Sequence, residues 1–150
     1  MTQPTNLPTF SVSATSETEN QTTVETRGFE FTIDKKKSFG GDDEGPNPLE
    51  FILGSWAGCL NIVCHIVADE KDLNLTHLEF EIEGDIDTDR FLGNADDVRA
   101  GYQNLRVNIT TDIDADNEVI EEWLTEVEQR CPISDNIANT TPTNLSVATR

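Results

Sequence analysis

The chain has 150 residues, three of them cysteine, which is long enough for a domain with its own core. Its 29 acidic residues against 10 basic ones leave a net charge of −19, which repels nucleic acid and anionic membrane and argues against both as partners. The acidic residues are spread along the whole chain. This fits a cytoplasmic protein from a salt-accumulating organism, because at molar salt the Debye length falls to about 3 Å and self-repulsion is screened.

Met1-Thr2-Gln3-Pro4 has no basic stretch leading into an apolar one, so no secretory leader is expected. Residues 1–20, rich in Thr, Ser, Asn and Pro, are expected to form a flexible arm with a short strand at Thr9–Ser13, followed by a single domain over residues 21–150. Thr22–Glu25 and Phe29–Ile33 alternate and carry β-branched residues; with Arg27-Gly28 between them they predict a hairpin. Gly40 to Pro46 is a glycine-rich acidic loop, and it lacks the Gly-Lys-Ser/Thr ending of a phosphate loop. Asn47-Pro48 opens a helix, with Asn as N-cap and Pro in the first turn. That helix is predicted to reach about Lys71. Its apolar residues cover more than one face, so it is expected to be buried on most sides or to lie at a subunit contact. The run Leu49 to Ala68 has the length of a membrane span, but it contains Glu50, Asn61 and His65 and reads better as a core helix.

Leu75–Ile86 alternates as a strand, with Leu78, Phe80 and Ile82 on one face and Glu79, Glu81 and Glu83 on the other. Asp87–Gly101 is irregular, and Leu105–Ile113 alternates again. Glu118–Gln129 is an amphipathic helix with Val119, Ile120, Trp123, Leu124 and Val127 on its apolar side. Pro132 starts a short helix to Ala138, and Leu145–Ala148 is a candidate final strand. The order predicts an α+β domain with one buried helix against curved antiparallel sheet.

The chemistry lies in the cysteines. Three cysteines in a cytoplasmic protein argue against a disulfide framework. Cys59 sits in Ser55-Trp56-Ala57-Gly58-Cys59. Gly54 and Gly58 each cost the helix about 1 kcal/mol relative to Ala, which suggests that a partner or a ligand approaches there. Cys131, before Pro132, is placed as the N-cap of the last helix, where free amides and the helix dipole favour a thiolate. Cys59, mid-helix, needs a cationic neighbour, and Arg27, Arg90, Arg99, Arg106 and Arg130 are the candidates. Cys64 points about 140° away from Cys59 on the helix and reads as core. Cys59, Cys64 and His65 lack zinc-ligand spacing, and the Asp-rich pieces lack the order of a calcium loop. Buried thiols and a redox couple remain open on the residues alone.

Gly45-Pro46-Asn47-Pro48-Leu49-Glu50-Phe51-Ile52-Leu53 followed by Ala57-Gly58-Cys59 resembles the central helix of the OsmC-like family. Glu83-Gly84-Asp85-Ile86-Asp87, Gly101-Tyr102-Gln103-Asn104-Leu105-Arg106-Val107 and Arg130-Cys131-Pro132-Ile133 follow in the family's order. The resemblance implies an α+β OsmC-like fold, with antiparallel curved sheets around a long central helix, in an intertwined homodimer. It implies a cofactor-free, metal-free thiol peroxidase of the oxidative stress response. Cys59 would attack an organic hydroperoxide and become a sulfenic acid. Cys131 would resolve it as an intramolecular disulfide, which an external dithiol reduces. Arg27 matches the family's thiolate-stabilising Arg, which the partner chain can supply. One position departs: the organic hydroperoxide resistance branch has Glu directly after Asn-Pro, where this chain has Leu49. Glu50 lies one residue on, a turn of about 100°; by the resemblance it is the site residue that would pair with Arg27, with a structural role as the alternative. The alternative is an OsmC-like stress protein that binds a small apolar molecule or thiol conjugate without turnover.

Overall fold

The computed structural model describes residues 7–150. The expected N-terminal arm falls partly outside these residues. The chain divides into two compact units, residues 1–52 and 53–150.

The first unit holds a three-stranded antiparallel sheet, β1 (Ser13–Ser16), β2 (Thr22–Thr26) and β3 (Phe29–Ile33), in that order. β1 lies further on than the predicted Thr9–Ser13. Its SATS sequence carries no apolar alternation, and its place is set by pairing Ala14 opposite Val24 and Ser16 opposite Thr22. β2 and β3 form the predicted hairpin. Its two turn residues both have positive φ, Arg27 at 49° and Gly28 at 85°, which is the primed-turn geometry that fits the strand twist. After β3 the chain folds over buried Asp34, whose carboxylate accepts the backbone N–H of Lys35 at 2.6 Å and of Glu44 at 3.0 Å. The second bond satisfies one backbone N–H of the glycine-rich loop.

Helix α1 (Pro48–Glu70) starts in this unit and continues into the next. Asn47 Oδ1 accepts the Glu50 N–H at 2.9 Å, and Glu50 Oε2 accepts the Asn47 N–H at 2.8 Å. This is a reciprocal capping box with Asn as N-cap, as predicted. At the other end Asp72 turns left-handed (φ 54°), Leu73 N–H bonds Ala68 O at 2.8 Å and Asp72 N–H bonds Asp69 O at 3.2 Å. The helix therefore ends in a Schellman motif.

In the second unit β4 (Leu78–Ile86) pairs antiparallel with β5 (Tyr102–Thr111). Phe80 faces Ile109 and Ile82 faces Val107, while Glu83 faces Arg106. The Arg106 guanidinium bonds Glu83 and Asp85 on the solvent side. β4 begins later than predicted, because the Thr76 and His77 N–H groups bond the Asp112 carboxylate instead of a strand. Gly84 lies under the Tyr102 ring, where an added Cβ would come within 2.5 Å. A short helix α2 (Asp89–Leu92) interrupts the stretch predicted to be irregular. α3 (Asn117–Arg130) and α4 (Pro132–Ala138) follow as expected.

The core of this unit joins Leu60, Val63, Cys64, Val67 and Ala68 of α1 to Ile113, Trp123, Val127 and Cys131. The Trp123 indole N–H donates to Cys64 O at 3.0 Å. α1 is long and apolar enough to span a membrane; within one chain it buries one face, with Leu60, Val63, Cys64, Val67 and Ala68, and leaves Ile62 61% exposed and Ile66 42% exposed, which agrees with the subunit-contact alternative. Two expectations are corrected. Leu145–Ala148 forms no strand; residues 140–150 have no regular structure, and Leu145 and Val147 are exposed. Leu124 also lies off the buried face of α3.

Candidate active site

Cys131 occupies the joint between α3 and α4. Pro132 cannot continue α3 and pushes the residue before it toward extended backbone, and Cys131 takes φ −77° and ψ 113°. Its N–H still bonds Val127 O at 3.1 Å, and its carbonyl accepts the Asp135 N–H at 3.0 Å. One residue thus closes one helix and opens the next. Its sulfur does the capping, accepting the Ser134 N–H at 3.4 Å, as the sequence predicts.

Cys59 projects from the middle of α1. The Sγ atoms of Cys59 and Cys131 are 2.9 Å apart, and both are free thiols. The two candidate residues separated by 72 positions are thus in direct contact. Cys131 is completely buried, whereas Cys59 is partly exposed. Cys59 borders a cavity of about 350 Å3 with Ile62, Val63, Ile66, Arg130 and Pro132. Its wall is apolar apart from the sulfur and the Arg130 side chain, and the Arg130 guanidinium is paired with Glu70 and Glu126.

The sulfurs are electrostatically unequal. Burial opposes charge on Cys131, but the neighbouring Cys59 sulfur, the Ser134 side chain and the N–H groups of Ser134 and Ile133 outweigh it and hold this thiol below its ordinary pKa. Burial pushes Cys59 up, and its hydrogen bond to Cys131 and that sulfur's charge add to the effect. The pair therefore gives up its first proton easily, with the charge resting on Cys131, and holds its second. The Ile133 N–H also favours a Cys59 thiolate, help from the start of α4 that the mid-helix position does not suggest. Cys64 is core, as expected: burial, followed by repulsion from Cys131, pushes its thiol up to about 12.

The remaining candidates belong to the first unit. Arg27 lies at the hairpin turn with its guanidinium 5.3 Å from the centre of the Phe29 ring. Glu50 is held by the Asn47 N–H and by Lys36 at 3.2 Å, and its carboxyl is kept below the ordinary value by that backbone bond first and by Lys36 next. Among the described residues no ion pair joins Glu50 to Arg27; the Glu50 carboxylate is bonded to the Asn47 N–H and to Lys36. Gly54 and Gly58 face open space: among the described residues nothing beyond the helix's own backbone and the chain neighbours lies within 4 Å of an added Cβ. Two residues were missed by sequence reasoning. Ser134 is the third residue of α4, where its N–H meets the cap, and Trp56 donates its indole N–H to Ser134 Oγ at 2.7 Å. Only the helix-start spacing after Cys131 hinted at Ser134.

The profile of the OsmC-like protein family matches residues 41–146, which include both cysteines. The chain belongs to the OsmC-like family. Solved structures share the fold of this OsmC-like chain. An OsmC-like protein from Mycoplasma pneumoniae superposes with a TM-score of 0.76 at 20% identity, over 87% of this chain and 88% of that one. An organic hydroperoxide resistance protein OsmC from Legionella pneumophila gives 0.63 at 20% identity, over 88% and 90%. An organic hydroperoxide resistance protein from Elizabethkingia anophelis gives 0.61 at 19% identity, over 87% and 89%. No curated protein matches this OsmC-like chain significantly.

Proposed function

We propose that this protein is a cytoplasmic thiol peroxidase that reduces organic hydroperoxides through the Cys59–Cys131 couple. The observation that carries the reading is the 2.9 Å contact between the two free sulfurs. Family membership and the names of the Legionella and Elizabethkingia proteins support it. Cys59 is the attacking sulfur because it borders the cavity, while Cys131 is sealed from it. The proton of Cys59 passes to Cys131 across the contact, and the Cys59 thiolate attacks the terminal peroxide oxygen. The O–O bond breaks, Cys59 becomes a sulfenic acid, and the alkoxide takes the proton from Cys131 to leave as an alcohol. Cys131 is again a thiolate. It attacks the Cys59 sulfur, the S–O bond breaks, and the departing hydroxide is protonated to water. An external dithiol then reduces the disulfide by exchange.

The apolar cavity wall suits the organic part of such a peroxide. The exposed Ile62 and Ile66 and the open space at Gly54 and Gly58 support a homodimer that covers this face of α1. In that dimer Arg27 of one protomer is the candidate to stabilise the Cys59 thiolate of the other, and Glu50, through the capping box, fixes the start of the helix that carries it. The same apolar cavity also favours a second reading, binding of a small apolar molecule without turnover. Treatment with cumene hydroperoxide followed by peptide mapping separates the two. A Cys59–Cys131 disulfide, absent in Cys59→Ser, supports the peroxidase. Free thiols at both positions after treatment exclude it.

A further inference from the structure

We infer that Ser134 and Trp56 are positioning residues that keep the negative charge of the thiol pair on Cys131: the Trp56 indole N–H donates to Ser134 Oγ at 2.7 Å, and Ser134 meets Cys131 Sγ with its backbone N–H at 3.4 Å. An indole nitrogen only donates, so Ser134 Oγ is the acceptor in this bond. The bond anchors Ser134 in the first turn of α4 with its backbone N–H directed at Cys131 Sγ. Ser134 is buried, so water does not compete for that orientation. Trp56 comes from the helix of Cys59 and Ser134 from the helix of Cys131, so this bond links the same two elements as the sulfurs. The titratable groups facing Cys131 are Cys59 and Cys64 from α1. The neighbouring Arg130 is committed to Glu70 and Glu126. The inference rests on the peroxidase reading for its consequence. A Cys131 thiolate is required when the sulfenic acid is resolved, and the Trp56–Ser134 pair holds the sulfur in that form once the alkoxide has taken its proton.

The test has two arms. In a Cys59→Ser, Cys64→Ala protein, the ultraviolet absorbance of the Cys131 thiolate is titrated with and without Ser134→Ala. The expected result is a midpoint raised by about one pH unit, a tenfold loss of thiolate at fixed pH below it. Trp56→Phe shifts the midpoint the same way by less, and Ser134→Thr restores it. Should Ser134→Ala fail to fold, Trp56→Phe decides. Unmoved midpoints overturn the inference. In the three-cysteine protein, stopped-flow with cumene hydroperoxide separates attack from resolution. S134A is expected to slow disulfide formation about tenfold, in line with the lost thiolate, without slowing sulfenic acid formation; equal slowing of both steps marks a merely structural role and overturns the inference. If the wild-type protein forms neither sulfenic acid nor disulfide, the peroxidase reading fails, and the titration still judges the positioning role.

Discussion

Oxidation of the thiol pair should make the protein markedly harder to unfold. The perturbation is the conversion of two touching thiols, 2.9 Å apart and 72 residues apart in sequence, into a disulfide. Because the sulfurs already touch, the folded chain needs little rearrangement, and the main effect falls on the unfolded ensemble. In the chain-entropy view a loop of this length removes about 4 kcal/mol of disorder from the unfolded state. For a protein of this size that corresponds to a rise in Tm of roughly 10 °C. The assay is a thermal melt of Cys64→Ala protein, fully reduced with dithiothreitol or oxidised with one equivalent of organic hydroperoxide, the bond being verified by mass. Cys59→Ser protein treated in the same way should show no rise. A mapped Cys59–Cys131 disulfide with no gain in Tm would refute the reasoning, because it would mean that the folded chain must distort to accept the bond.

Four further outcomes are expected. The rate of peroxide reaction should level off at a pH below the ordinary thiol range, since hydrogen bonds hold Cys131 below its usual value; a plateau only in the alkaline range would contradict the site electrostatics. The Glu44 N–H, against some opposition from burial and with help from Lys35, holds the Asp34 carboxyl below its ordinary value, so its stabilisation is complete above the usual aspartate range and is lost as pH falls through its lower folded value. Asp34→Asn should flatten that acid limb in urea titrations at a series of pH values, and identical limbs would count against it. Asn47→Ala removes the cap of α1 and should cost about 1 kcal/mol by chemical denaturation. The net charge of −19 should make Tm climb from dilute buffer to molar KCl, and a flat profile would remove the salt-adaptation reading.

The features legible in the sequence are those with local causes. Asn47-Pro48 and Cys131-Pro132 announce their caps because proline stops one pattern and a side-chain acceptor starts the next. The alternation in β4 and β5 survives because one face of each strand is half-buried and the other is exposed, carrying Glu79, Glu81 and Glu83 in β4 and Arg106, Asn108 and Thr110 in β5. Tertiary choices were less visible. β1 is placed by its backbone pairing with β2, so its polar residues gave no register. Leu145–Ala148 has strand-forming residues, but no strand among the described residues pairs with it. The apolar circumference of α1 suggested burial all round, whereas one chain covers one face. At the site the two cysteines were evident from their contexts, but their contact was not, because no local pattern reports a distance across 72 residues. The Trp56–Ser134 bond, across 78 residues, was invisible for the same reason.

The positions of the two cysteines have a topological consequence. β4, α2, β5 and α3 all lie between Cys59 and Cys131, so the disulfide would close them into a covalent ring, with residues 1–58 and 132–150 as its two tails. A protease that cuts the exposed turn around Asn94 would then open the ring without releasing a fragment. The nicked, oxidised protein would keep its full mass until a reductant separated it into two pieces. The redox state of the pair could therefore be read on a gel from a single cut made far from either sulfur.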